Sequence, residues 1–246
     1  MSAAFVSQLD WNCPFANRSA VINSATTTGG AGPNNSLVLV EGNLLIAISG
    51  NDNAMSHDTW EDSLGNDWNY QGPSPGNQLG MWTTLVTKPG TATFECAGTA
   101  DKYQMWVGQY SGIASATPLW YSPIFYNGNS TAANGMASPA SPGNETPAGA
   151  LIVGFYYGSS GSGATSFSAG TSPNAFTSRG SVWAVGFGTA QALAEDFIVP
   201  SAGDYYATAT NTDEMQSYLL AAAFGISGGG GGGGSVPSGL TLLGCG

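Results

Sequence analysis

The sequence predicts an all-β protein: a two-sheet antiparallel β-sandwich, jelly-roll-like, built from two related sets of strands. Three observations carry this expectation. Short apolar or alternating segments recur along the chain, Gly-, Pro- and Asn-rich turns separate them, and helical periodicity is almost absent. The 246 residues are 42% hydrophobic and 11% aromatic, enough to bury a sizeable core despite 37 glycines.

The elements follow in order. Leu44-Leu45-Ile46-Ala47-Ile48 is a continuous apolar run, as expected of a central strand buried on both faces. Asp62-Ser63-Leu64-Gly65-Asn66-Asp67-Trp68 sets a Gly-Asn pair between Trp60 and Trp68, which predicts a hairpin. A strand over 79–87 is followed by Lys88-Pro89-Gly90-Thr91, with Pro and Gly placed as in a type II turn. Thr91 to Cys96 alternates, which points Ala92, Phe94 and Cys96 inward. Another strand covers 103–110. The best helical candidate, 190–196, is too short to organise a fold.

The second half echoes the first. Gly149-Ala150-Leu151-Ile152-Val153 repeats Gly42-Asn43-Leu44-Leu45-Ile46 at an offset of 107. At an offset of 113, Ser201-Ala202-Gly203-Asp204 falls on Lys88-Pro89-Gly90-Thr91, Tyr205, Ala207 and Ala209 fall on Ala92, Phe94 and Cys96, and Phe224-Gly225-Ile226 falls on Ser111-Gly112-Ile113. No charged or Pro/Ser-rich linker isolates the halves, so one domain over 1–226 is expected. Residues 227–246 form a tether: seven glycines, Gly228 to Gly234, lead to an apolar peg of Leu240, Leu242 and Leu243 suited to docking on another subunit.

Composition excludes several functions. Only 8% of residues are charged, and 15 acids against four Lys and Arg give a net charge of −11. Nucleic-acid binding needs clustered cations and is not expected, nor is docking on anionic membranes. No apolar run is long enough for membrane insertion, and the N-terminus lacks the basic and apolar regions of a secretory signal. His57 is the single histidine, so no multi-histidine metal site can form, and Cys13, Cys96 and Cys245 match no metal spacing. No cofactor is expected. The acids Asp52, Asp58, Glu61, Asp62 and Asp67 could in number serve calcium, but they fit no EF-hand and read as a solvated loop. His57 beside Asp58 is the one general-base pair available, and the scattered glutamates match no glycanase arrangement. Glycan binding demands less, because a sugar ring can stack on an exposed aromatic. Trp60, Trp68 and Trp120 are the candidates, since two flank a turn and the third lies near the start of the loop-rich stretch from Thr117 to Pro147 that joins the two sets of strands.

Three runs carry a family likeness: Gly42 to Ile48, Asp62 to Trp68, and Trp106-Val107-Gly108-Gln109-Tyr110-Ser111-Gly112-Ile113. Over residues 36 to 226 the chain resembles β-sandwich modules of tailed-phage structural proteins (decoration, fibre or minor tail type) and of bacterial surface proteins. The glycine run and leucine peg depart from that module. The resemblance implies no catalytic residue. Low charge, Gly/Ser/Thr/Asn richness, the lack of a signal and of a catalytic constellation, and the tethered peg point to a non-enzymatic structural or adhesive protein of a particle surface, most concretely a phage virion, working as a homo-oligomer with other lattice subunits and host-surface glycan as partners. A secreted carbohydrate-binding or carbohydrate-active jelly roll is the alternative.

Overall fold

Side-chain alternation decides which face of each strand meets which layer. The structure is a computed structural model that describes residues 3–12, 19–21, 25–28, 31–32, 36–50, 59–73, 79–97, 104–126, 136–137, 145–160, 167–171, 174–184, 189–211 and 216–227. Strands are numbered in chain order. A six-stranded sheet runs β3 (Ala25–Thr28), β1 (Ala4–Asn12), β12 (Gln104–Ser111), β6 (Leu44–Gly50), β9 (Leu79–Leu85), β8 (Asn69–Pro73). A five-stranded sheet runs β13 (Trp120–Tyr126), β20 (Gln216–Phe224), β15 (Leu151–Ser160), β18 (Thr189–Ile198), β17 (Thr177–Ala184). Three small sheets complete the fold: β10 (Gly90–Ala92), β5 (Ser36–Leu39), β4 (Ala31–Gly32); β2 (Ser19–Val21), β11 (Phe94–Ala97), β7 (Thr59–Asp62); and β14 (Met136–Ala137), β19 (Thr208–Asn211), β16 (Phe167–Ala169). Every paired strand is antiparallel, and no described residue is helical.

The predicted sandwich is the pair of large sheets packed face to face. Leu44, Ile46 and Ile48 of β6 point one way and meet Leu151, Val153, Phe155 and Tyr157 of β15 together with Leu220, Ala222 and Phe224 of β20. The intervening Leu45 and Ala47 point the other way, onto Leu37, Leu39, Trp60, Ala92 and Phe94 of the small sheets. Ile152, Tyr156, Leu193 and Leu219 likewise face outward onto Phe167 and Ala209. Both faces of each large sheet are thus covered, which is why their strands read as continuous apolar runs rather than alternating ones. Small sheets lie outside, and the sandwich sits at the centre of four layers.

The repeat is structural. In the first half Gly42 N–H donates to Val86 O at 2.9 Å and Val86 N–H to Asn43 O at 2.9 Å. The second half repeats this with Gly149 to Val199 at 2.7 Å and Val199 to Ala150 at 2.9 Å. Gly42 and Gly149 take φ of 80° and 81°, a left-handed conformation that glycine adopts without Cβ strain. The pairing β6–β9 places Leu44 opposite Leu85, and β15–β18 places Leu151 opposite Ile198. Edge strands β8 and β17 carry matching bulges, at Tyr70/Gly72 and at Ser178/Gly180. Gly90 pairs with Leu39 as Gly203 pairs with Thr146. The halves meet on an approximate two-fold axis. Ile113 and Ile226 bridge each other, flanked by Ala114 N–H to Gly225 O at 2.9 Å and Ser227 N–H to Gly112 O at 2.8 Å.

Three local expectations are corrected. The turn after Trp60 is not a hairpin: β7 pairs with β11 and β8 with β9, so the connection crosses between layers. The alternating run from Thr91 to Cys96 breaks at Thr93, because β10 follows one small sheet and β11 the other; Ala92 and Phe94 are buried as expected. The helical candidate 190–196 lies inside β18, held by ladders to β15 and β17 on both sides. Its alanines reflect tight packing between sheets rather than helix propensity, and tertiary context overrides the local preference.

Candidate functional site

The turn singled out in the sequence is organised by one carboxylate. Asp62 closes it, with Gly65 N–H donating to Asp62 O at 2.9 Å and Gly65 at φ 74°. Its side chain accepts from Leu64 N–H at 3.0 Å, from Asn66 N–H and Nδ2, and from Trp68 Nε1 at 2.9 Å. Asn66 carries the turn to the next loop: its Oδ1 accepts from Thr87 N–H and Lys88 N–H, both at 2.9 Å, and its Nδ2 donates to Lys88 O. Asp62 is buried, which corrects its placement in a solvated loop. Its carboxylate is committed to the turn, so it is not poised for calcium or for acid–base chemistry.

Aromatic rings extend from this turn. Trp60 meets Trp68 and Trp82, each at 6.1 Å between ring centroids, Trp68 meets Phe94 at 6.3 Å, and Trp82 meets Tyr70 at 5.0 Å. Trp60 is 3% exposed and packs inside the outer core, and Trp120 is 7% exposed with its indole N–H donating to Thr146 Oγ1 at 3.1 Å. Neither ring offers an open face to a sugar, which corrects both as stacking candidates. Trp68 is half-buried and keeps an outward side. The aromatic that sequence reading missed is Tyr70, exposed and two residues beyond Trp68. In an extended chain that spacing sets two side chains on one face, a signal that was available.

Two adjacent acids occupy the second half. Glu195 is buried between the five-stranded sheet and its outer layer. Its Oε1 accepts from Tyr156 Oη–H at 2.9 Å and its Oε2 from Gly170 N–H at 3.0 Å. Gly154 makes the room, because a Cβ there would lie 2.9 Å from Glu195 Oε1. Burial raises the Glu195 carboxyl to about 8, against the pull of the Gly170 and Tyr156 hydrogen bonds and with a further push from Asp196. Asp196 accepts at Oδ2 from Nε of Arg179, on the neighbouring strand β17 of the same half, at 2.6 Å. Burial raises Asp196 as well, opposed by Arg179. The guanidinium lies 4.0 Å over the Phe5 ring, and Gln8 Nε2 donates to Arg179 O. The opposite clasp is Tyr121 Oη–H to Gly72 O at 2.7 Å. Arg179 over Phe5, Gln8 on the Arg179 carbonyl and Tyr121 on the Gly72 carbonyl tie one half to the other. No sequence signal marked these acids, since only the layer arrangement buries them.

Glu61 and Asp67 are exposed, and Glu61 lies opposite Glu95 in the β7–β11 ladder. Asp52, His57, Asp58, Cys13, Cys245, Leu240, Leu242 and Leu243 lie outside the described residues, as does the glycine run, and Cys96 is described only in its backbone pairing. Among the described residues no group of three His, Cys, Asp or Glu could hold a metal ion. Comparison with known proteins returned no matching family model, no matching curated protein and no matching solved structure.

Proposed function

We propose that the chain is a non-enzymatic structural or adhesive subunit of a particle surface, a tailed-phage virion component of the decoration, fibre or tail type, working as a repeated copy. The observation that carries this reading is the central core shared by two pseudo-symmetric halves, with the interior carboxylates Asp62, Glu195 and Asp196 each engaged in hydrogen bonds that hold the scaffold together. A four-layer β fold of this kind is a stiff spacer whose sequence holds few charged side chains, 8% of residues, which suits lateral packing in a lattice. The jelly-roll-like description of the two-sheet sandwich and the docking of the Leu240, Leu242 and Leu243 peg on a neighbouring subunit belong to the same proposal.

Immunogold electron microscopy of the native source with antibody to residues 1–227 tests it. Regular decoration of a particle or filament is expected. Label spread evenly through cytosol or medium, with no particle bearing it, overturns the reading.

A further inference from the structure

The inference rests on the adhesive side of that reading and names what the surface would hold. Among the described residues the large exposed apolar side chains are Val38, Val40, Leu119 and Tyr70, of which only Tyr70 is aromatic, at 42% exposure. Tyr70 is fixed in place. It stands directly opposite Trp82 across the β8–β9 ladder, with ring centroids 5.0 Å apart and planes inclined by 37°. Trp82 in turn lies over Gly80, where a Cβ would come 2.5 Å from the indole. Trp68 immediately precedes β8 and joins the same aromatic cluster through Trp60, which touches both Trp68 and Trp82. The Trp68 ring is wedged by Trp60 and Phe94 and anchored by its indole N–H on Asp62. β8 ends the strand order of its sheet, so no further described strand pairs across this rim.

We propose that Trp68 and Tyr70 form a stacking platform for a neutral carbohydrate chain. A pyranose ring presents a face of C–H bonds that packs on an aromatic face, and its hydroxyls remain free to bond at the edge. Rings already held by Trp60, Trp82 and Phe94 lose little freedom on binding, which favours affinity for a small ligand. The exposed area is one ring and the rim of another, far below the ~800 Å² per side that a protein partner buries, yet matched to one or two sugar rings. Charge narrows the class further. Asp67 is exposed on the adjoining turn and can accept from sugar hydroxyls, while the net charge of −11 repels sialylated or uronic glycans.

The test uses the full chain and neutral hexasaccharides of glucose, N-acetylglucosamine, xylose and mannose, with one sialylated oligosaccharide beside them. Titration calorimetry measures affinity, and NMR follows the Tyr70 and Trp68 ring signals. At least one neutral series should bind and shift both rings. Tyr70→Ala should bind at least about tenfold more weakly and Tyr70→Phe within about twofold of the native chain. The wild-type ring shifts carry the test if Tyr70→Ala fails to fold. Absence of binding at millimolar sugar, equal affinity of Tyr70→Ala, unshifted rings, or preference for the sialylated chain overturns the platform. The outcome is separable from particle location: a chain found on particles that binds no glycan removes the platform alone, and a glycan-binding chain found on no particle removes the lattice reading alone.

Discussion

Glu195 shows at the scale of one residue how burial sets a pH response. Its carboxyl ionises near 4.5 in an unfolded chain and at about 8 in the fold, with burial as the main cause. Between those values the unfolded chain holds fewer protons than the folded one, so stability falls as pH rises from about 4.5 to about 8 and levels above it. Glu195→Gln removes the titration but keeps an acceptor for Gly170 N–H, and the Tyr156 hydroxyl can turn to accept from the new amide. The variant should show a flatter thermal midpoint between pH 5 and 8 and a higher midpoint than the native chain at pH 8, as read by differential scanning calorimetry. A second expectation concerns Asn66, whose Oδ1 accepts from two backbone N–H groups. Asn66→Ala should cost about 2–3 kcal/mol in urea unfolding, because both donors are left without that acceptor. The turn itself was legible in the sequence, since a Gly-Asn pair bounded by Trp marks a bend, but Asp62 read as a solvated acid and its burial and hydrogen bonds did not show. Nor was Glu195 legible: nothing local distinguishes it from a surface acid, and its burial comes from a layer contributed by β16 and β19.

At the scale of elements, the repeat supplies paired experiments. Gly42 and Gly149 share a φ near +80°, but a Cβ at Gly42 meets nothing within 4 Å, whereas at Gly149 it would lie 2.8 Å from Ile226 Cδ1. Gly42→Ala should cost only the left-handed strain of about 1–2 kcal/mol. Gly149→Ala should cost more by the displacement of Ile226, and chemical denaturation of the two variants measures the difference. Gly108→Ala belongs beside them. Its Cβ would fall 2.2 Å from the Trp106 ring, which lies flat over the glycine in β12, so overpacking of about 1–3 kcal/mol is expected. Strands β6 and β15 were legible because unbroken apolar runs mark strands covered on both sides. The partners of β7 and β8 were not legible, because a turn sequence fixes the local bend but not which sheet the chain enters next. Strand β18 misled for a related reason: Ala192 and Ala194 are small because two sheets approach closely there, and small residues also favour helix.

For the whole molecule, the central core divides its apolar surface between halves that cannot cover it alone. Leu44, Ile46, Ile48, Met81 and Trp106 on one side need Leu151, Phe155, Leu220 and Phe224 on the other. Residues 1–116 and 117–227 expressed separately should therefore not be monomeric, and should recover a native near-ultraviolet circular dichroism signal when produced together. Monomeric, cooperatively unfolding separate halves would contradict the shared core. The repeat itself was legible from preserved turn spacing, whereas the four-layer stacking needed the strand pairing to be seen. The order of synthesis then acquires a meaning. The first large sheet has all its strands once Ser111 has been made, but the second lacks its interior strand β20 until Phe224. At ~5–20 residues per second that interval is roughly 6–23 s. Through it the inner face of the first half stands open to water, a window in which a nascent chain meets chaperones or its neighbours on the same message before it meets its own second half.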